Sequence, residues 1–289
     1  MQRGDNAVPQ GRRDRIAVEH IRPSFVRPPL VEQAIVAVFE AIPGFTIVDY
    51  GVFWSEIQKE FPLVSSTDPA PEHTELFDPI RLPDSGLQLL HTLPLPRAMF
   101  RDKEGGELIQ LQPDRFGFNW SKVDGGHYPR SEQVMGRFNE LFARFHAFIE
   151  RRGIGPLRLK QCELTNLNII RVSDFGHGYE DMTKALRVDP LDLGISFLRA
   201  ETYTRARQHS ILGAAGEPVG RLHTAIAPVI STHDGEQAFR LELTARSRPE
   251  INTLETMKGF FEIARNAVNA AFCATVTDKM RKHWGEYDA

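Results

Sequence analysis

The chain has 289 residues, with 35 Lys and Arg against 38 Asp and Glu, so its formal net charge is −3. Hydrophobic residues make up 41% and charged residues 25% of the sequence, which is typical of a globular protein of about two domains. This composition excludes a mostly disordered chain, a collagen-like chain, a disulfide-rich scaffold and a globally basic nucleic-acid binder. It does not exclude a local basic face.

The lack of a recognisable targeting signal and the small number of cysteines favour a cytoplasmic protein. No stretch approaches the ~18 consecutive apolar residues of a membrane-spanning helix, and the N-terminus lacks the apolar segment of a secretory signal. Cys162 and Cys273 lie in apolar segments, where cysteine usually packs as a small hydrophobic residue. We therefore expect no disulfide framework and no membrane partner.

Residues 1–27 are predicted to form a flexible basic arm, because they lack hydrophobic periodicity and carry few large apolar side chains. Six arginines against three acidic residues leave a local excess of three positive charges. Such an arm can contact an anionic partner or remain a solvated terminus.

Residues 28–156 are predicted to form a first α+β unit. Partial alternation and a high Val and Ile content indicate a strand at 30–39, and helical spacing of apolar residues indicates a helix at 53–61. The proline-rich segment 64–96 predicts a long surface excursion. Three short strands are then expected, at 97–102, 107–112 and 115–121.

A long helix ends this unit. Ser131 is the expected N-cap, and the Gly153 to Pro156 segment contains the stop signals. Apolar residues at helical spacing form one stripe, which predicts that the helix covers a sheet: Val134, Phe138, Leu141, Phe142, Phe145, Phe148 and Ile149.

Residues 157–289 are predicted to repeat this order of elements as a second α+β unit. Strands are expected at 157–172, 195–208, 219–231 and 237–246, and a short helix at 179–188. A long helix at 253–273 and a short terminal helix capped by Thr277 follow. The long helix has an apolar side formed by Met257, Phe260, Phe261, Ala264, Val268, Ala271 and Phe272.

The predicted fold class is therefore α+β, with two tandem strand–helix–strand–strand–strand–helix units. Each unit is expected to have an antiparallel sheet covered by a long helix. No repeat is visible residue by residue, so the duplication concerns element order alone. The same order occurs in TATA-binding-protein-like and helix-grip folds, an analogy that carries no function by itself.

Four motifs provide a family resemblance. They are PPLVEQAIVAVFE near the start, LQPDRFGFNW at 111–120, CELTNLN at 162–168 and TDKMRKHWG at 277–285. Together they resemble a sporadically distributed prokaryotic family of uncharacterised proteins of about this length. The resemblance spans residues 28–285 and implies no catalytic residues. The patchy distribution of that family is similar to that of mobile or defence-associated genes, which implies such a role here.

Catalytic and metal-binding signatures are missing from the sequence. It contains no phosphate-binding glycine loop, no HExxH motif, no paired CxxC motif and no nucleophile elbow. His146 with Glu150 is typical of an exposed helix flank, and the polar residues at 177–181 and 233–234 are typical of turns. We therefore predict no cofactor and no metal, and the pattern favours a protein that is not an enzyme.

Alternating polar residues in the predicted strands of the second unit are the most informative pattern. Arginines and a tyrosine share one parity of 195–208, interspersed with Glu201, and a second set alternates along the strand that begins at 237, interspersed with Glu242 and Thr244. If these strands are neighbours, one sheet face carries a binding surface of Arg199, Tyr203, Arg205, Arg207, Arg221, Arg240 and Arg246, with Arg248 as a further candidate. Such side chains bind carboxylates or phosphates, while cross-strand Arg–Glu pairs on a solvated face are the alternative.

Three functions follow as hypotheses. The first is a non-catalytic recognition or accessory protein that binds a protein partner or itself through this face, within a mobile-element or defence-associated system. The second is a nucleic-acid-contacting accessory factor that uses the same face and the basic arm. The third is a helix-grip-like small-molecule binder or enzyme, with the long helices covering an apolar cavity.

Overall fold

The computed structural model describes residues 22–71, 74–75, 77, 94–123, 128–188, 195, 197, 201–231, 234–249 and 251–287. The first half of the described chain contains, in order, β1 (Ser24–Phe25), β2 (Leu30–Phe39), α1 (Ile47–Ile57), β3 (Leu63–Thr67), β4 (Arg97–Arg101), β5 (Glu107–Gln112), β6 (Arg115–Ser121) and α2 (Ser131–Arg152). The second half contains β7 (Leu159–Arg171), two 3₁₀ turns (Val172–Asp174 and Tyr179–Lys184), β8 (Arg205–Leu212), β9 (Pro218–Ile230), β10 (Gln237–Ser247), α3 (Leu254–Thr275), α4 (Asp278–His283) and β11 (Glu286–Tyr287).

Nine of these strands form one large antiparallel sheet, so the predicted α+β class is confirmed. The strand order is β3-β4-β5-β6-β2-β7-β10-β9-β8, and every pair of neighbours is antiparallel. Strands of the first half lie on one side of the β2–β7 pair, and strands of the second half lie on the other. That central pair runs in register from Glu32 opposite Leu167 to Val38 opposite Gln161.

The long helices α2 and α3 cover one face of this sheet. The buried residues of α2 are the same seven that form its apolar stripe in the sequence. Phenylalanine rings fill the layer beneath it: the ring of Phe116 lies 5.3 Å from that of Phe145, and the ring of Phe53 lies 5.4 Å from that of Phe148. The helices also meet each other, with 5.5 Å between the rings of Phe138 and Phe261.

The buried side of α3 departs from its predicted apolar side. Ala271 is only half-buried, whereas the polar residues Arg265 and Asn266 are buried among the apolar ones. Polar groups therefore enter the layer between helices and sheet, which a purely apolar interface would exclude.

The two ends of the described chain lie together. β1 pairs with β11, and the Arg27 guanidinium donates a hydrogen bond to the carbonyl of His283. The Phe25 ring packs edge-on against Trp284, 6.3 Å away. Residues 22–27, at the end of the predicted arm, are thus part of this packing, while residues 1–21 lie outside the described residues.

Four expected elements have different bounds or types. The helix expected at 53–61 is α1, which spans Ile47–Ile57. The predicted strand at 195–208 begins only at Arg205 and continues to Leu212, and residues 179–184 form a 3₁₀ turn instead of an α-helix. The excursion at 64–96 begins with β3, an edge strand whose residues are all exposed. Exposed edge strands show no inside–outside alternation, which is why sequence periodicity gives poor bounds for them.

Candidate functional site

The sheet face opposite the long helices carries the candidate site, and we call it the outer face. Cross-strand partners in an antiparallel ladder point to the same face of a sheet. Arg246 of β10 lies opposite Glu163 of β7 on one side and Arg221 of β9 on the other. These three side chains, all partly exposed, therefore lie together on the outer face.

Described residues that follow β3 lie on this face, and we call residues 68–71, 74, 75 and 77 the strap. Ala70 donates its backbone N–H to Gln112 of β5, at 2.9 Å, and the Arg115 guanidinium of β6 donates to the carbonyl of Pro71, at 3.1 Å. Further along, Glu75 donates its backbone N–H to Gln161 of β7, at 2.9 Å. The strap thus runs across the strands, and it buries Gln112 and Gln161 on the outer face.

The strap places the carboxylate of Glu75 among basic side chains, and Glu75 is only 3% exposed. Arg221 contacts one carboxylate oxygen at 2.6 Å, and the other oxygen lies 3.5 Å from Arg246 and makes a short hydrogen bond with the His223 ring. We call Arg221, His223, Arg246 and Gln161 the Glu75 site. Of these, Arg246 also lies 3.2 Å from the carboxylate of Glu163.

The pKa of the Glu75 carboxyl reflects this surrounding. Burial alone raises that pKa, but the hydrogen bond from His223 and the charges of His223, Arg221 and Arg246 outweigh it and lower the pKa to about 2. Glu75 is therefore ionised at neutral pH. The site can hold an anion away from water because its basic groups replace the lost hydration.

An aromatic subsite adjoins the carboxylate. The Phe77 ring lies against two guanidinium groups, with the central carbon of Arg221 at 4.6 Å and that of Arg248 at 5.0 Å from the ring centre. Both distances are within the range of cation–π attraction. Arg221 therefore contacts the strap twice, through a carboxylate and through a ring two residues later.

The structure brings together only some of the arginines predicted to form the binding surface. Arg221 and Arg246 belong to the Glu75 site, and Arg240 lies on the same outer face, 3.9 Å from Glu242. Tyr203 precedes β8 and is half-buried against the core. Arg199 lies outside the described residues.

The expectation that Arg205 and Arg207 share this face is wrong. In the β8–β9 ladder Arg205 lies opposite Ile226 and Arg207 lies opposite Thr224, which both point to the helix side. Ser210 is the residue of β8 that lies opposite Arg221. The register of β8 thus separates Arg205 and Arg207 from the outer-face arginines.

Two parts of the site were missed in the sequence. His223 shares the parity of Arg221 within β9, so alternation alone could have added it to the set. Glu75 and Phe77 lie in the proline-rich excursion, far from the arginines in sequence, where no local pattern points to the sheet.

Apart from the Glu75 site, a concavity of about 850 Å³ opens at the end of the sheet, where Ile169, Val229 and Ala238 reach the outer face. Its charged rim includes Arg171, which contacts the carboxylates of Asp234, at 3.1 Å, and Glu236. The charge of Arg171 is therefore already paired within this rim.

The other polar clusters have local structural partners. His177 donates its backbone N–H to Asp181, and the ammonium of Lys184 lies 2.6 Å from the same carboxylate. His146 lies 3.7 Å from Glu150 on the flank of α2, and His233 is outside the described residues. Within the described ranges, no group of three or more His, Cys, Asp or Glu residues could hold a metal ion.

Comparison with known proteins gives no family assignment: no family model and no curated protein matches the chain. Among the helices that the structure describes, none is both long and apolar enough to cross a membrane.

Proposed function

We propose that this protein is a non-catalytic recognition protein that binds a partner protein through the outer face of its sheet. The observation that carries the proposal is the capture of the chain's own Glu75 and Phe77 by Arg221, His223, Arg246 and Arg248. A surface that holds one peptide segment of this chemistry is suited to hold another from a partner.

The chemistry of the site defines the partner segment. Guanidinium groups bind carboxylates and stack on aromatic rings, so the site favours an acidic residue followed two positions later by an aromatic one. Without Glu75, the carboxylate of Glu163 would be the acidic partner that the described residues provide for Arg221 and Arg246, which leaves a cationic excess. An acidic partner segment would restore the charge balance that the strap now supplies.

A peptide-binding experiment tests this proposal on the full chain. The double variant Glu75→Ala/Phe77→Ala removes both captured side chains from the site, and a fluorescein-labelled peptide with the sequence of residues 68–80 serves as the partner segment. We expect the peptide to bind the double variant at least ~10-fold more tightly than it binds the wild type, because the strap competes in the wild type. Fluorescence anisotropy measures both affinities.

Further substitutions locate the binding. Adding Arg246→Ala to the double variant should weaken peptide binding at least ~10-fold, whereas adding Arg101→Ala, an exposed arginine of β4, should not. A peptide with Gln in place of its Glu75 equivalent should also bind weakly. The proposal is overturned if the folded double variant, checked by circular dichroism, does not bind the peptide.

The same assay tests the alternative of a nucleic-acid-contacting factor. Labelled single-stranded DNA or RNA would then bind with an affinity that falls steeply with salt. Salt-dependent binding of nucleic acid without peptide binding would support a nucleic-acid-contacting factor and contradict the proposal of a protein partner.

We also infer that the sheet consists of two related units, 28–156 and 157–289. In its support, the orders β2-β6-β5-β4 and β7-β10-β9-β8 match from the centre of the sheet outwards, and a long helix follows β6 and β10. The motif resemblance extends the proposal to a mobile-element or defence-associated system, which the identity of neighbouring genes tests.

A further inference from the structure

A cavity of about 630 Å³ lies on the helix side of the sheet, independent of the outer face. Its floor is β7, its roof is α3, one wall is the start of α2, and residues 22–30 close another side. The sequence pattern predicts an apolar interior for this layer. The walls are instead rich in amide and charged side chains.

Amide groups form much of the floor and roof. Asn166 and Asn168 project from β7, and Asn269 from α3. Asn166 accepts a hydrogen bond from Gln33 at 2.8 Å, and Asn168, only 3% exposed, donates to the carbonyl of Leu241 at 3.3 Å. The amides of Asn166 and Asn168 each have more donor and acceptor positions than these two hydrogen bonds use. These floor amides can therefore bind a hydrogen-bonding ligand.

Arg265 is the charged group of the roof and is 7% exposed. Its terminal nitrogens contact Glu132 at 2.7 Å and Glu262 at 2.6 Å, while its Nε has no hydrogen-bond acceptor within the described part of the chain. Buried donors in native proteins usually have an acceptor. A guanidinium with an unsatisfied nitrogen, on the wall of a cavity, is suited to an anionic or strongly accepting ligand.

Aromatic and basic residues complete the lining. Phe25, Tyr128 and Phe272 provide flat apolar surfaces, which suit a planar ring. Arg22 and Arg130, both exposed, add positive charge at the rim, and Glu132, which lies 3.7 Å from Arg22, is the acidic residue among the described lining residues. The cavity thus combines aromatic surface, amide groups and an excess of basic side chains.

We propose that this cavity binds a small anionic molecule with a planar, hydrogen-bonding ring, which is the chemistry of a nucleotide. The ring would contact the aromatic walls and the amides of Asn166, Asn168 and Asn269. The anionic group would lie near Arg130 and Arg265. A cavity of this volume lies within the usual range for small-molecule sites.

The test titrates the full chain with AMP, GMP, CMP and UMP, by isothermal calorimetry and thermal unfolding. We expect at least one of them to bind with a Kd below about 1 mM and to raise the unfolding temperature. The matching nucleoside, which lacks the phosphate, should bind at least ~10-fold more weakly.

Variants place the binding in this cavity. Arg130→Ala removes an exposed basic group at the rim, and Asn269→Leu removes an amide from the roof; each should weaken binding at least ~10-fold. Arg101→Ala, on the distant strand β4, should leave the affinity unchanged. The proposal is overturned if none of the four nucleotides binds at about 1 mM, or if binding is insensitive to both cavity variants while each remains folded.

Discussion

At the scale of single residues, Glu75 shows how burial and charge oppose each other. A carboxylate this buried would cost several kcal/mol if it were unpaired. The hydrogen bond from His223 and the charged groups around the carboxylate reverse the balance, so the ionised form is favoured. Both the carboxylate and its partners therefore depend on each other, and removal of either leaves unmatched charge near the sheet.

Substitution of Glu75 by Gln should reduce stability in a pH-dependent way. The pKa of this carboxyl is lowered from an ordinary 4.5 to about 2 in the folded chain. Its stabilising contribution is therefore fully present above pH 4.5 and is lost as the pH falls toward 2. We expect Glu75→Gln to lower the free energy of unfolding by roughly 3 kcal/mol at neutral pH, with this difference shrinking through the acidic range.

Urea unfolding of the wild type and the variant, at neutral pH and at several acidic pH values, measures this difference. Glu104→Gln is the control, because Glu104 is exposed in the turn before β5 and should change stability little at any of them. A difference between wild type and Glu75→Gln that stays constant through the acidic range would contradict the assigned ion pairs.

This pairing also marks a limit of sequence reasoning at the residue scale. Glu75 and Arg221 are 146 positions apart, and neither lies in a motif that points to the other. The alternation of β9 and β10 predicts which of their residues share a face, and it correctly places Arg221 and Arg246 together. Their contact with Glu75 depends on how the strap lies on the sheet, which no local sequence pattern encodes.

At the scale of elements, the absence of a side chain at Gly220 allows α3 to pack closely on the sheet. A Cβ atom added at Gly220 of β9 would lie 2.5 Å from the carbonyl oxygen of Arg246 and 2.8 Å from the ring of Phe260. Both distances are shorter than van der Waals contact, so a larger residue must displace the helix or the neighbouring strand. Gly136, exposed in the second turn of α2, has no such neighbour.

Two alanine substitutions should therefore have opposite effects. We expect Gly220→Ala to destabilise the protein by about 1–3 kcal/mol through overpacking, and Gly136→Ala to stabilise it by up to about 1 kcal/mol through helix propensity. Thermal unfolding of both variants measures the changes. Equal effects of the two substitutions would show that α3 does not pack on β9 at this distance.

The elements differ in how far they could be predicted, and the reason is burial. The apolar stripe of α2 was predicted residue by residue, because a helix packed on a sheet needs apolar residues at helical spacing. β8 was predicted poorly, because six of its eight residues are exposed and alternation then carries no information about facing. Arg205 and Arg207 were consequently assigned to the wrong face.

At the scale of the whole molecule, the two halves share one sheet and one core. β2 of the first half pairs with β7 of the second along most of its length, and α2 contacts α3 through Phe138 and Phe261. Separate unfolding of one half would expose the edge of a central strand and the apolar side of a long helix. Such exposure is costly, so the halves should stabilise each other.

The chain should accordingly unfold in one cooperative transition. Trp54 and Trp120 report on the first half and Trp284, which is buried, on the second. The variant Trp284→Phe leaves the first-half reporters, and Trp54→Phe/Trp120→Phe leaves the reporter of the second half. In each variant we expect the urea midpoint from tryptophan fluorescence to coincide with the midpoint from far-ultraviolet circular dichroism, which follows both halves.

Separate unfolding of the halves would shift the fluorescence midpoint from the circular dichroism midpoint in opposite directions in the two variants. That result would show that the β2–β7 ladder does not couple the halves.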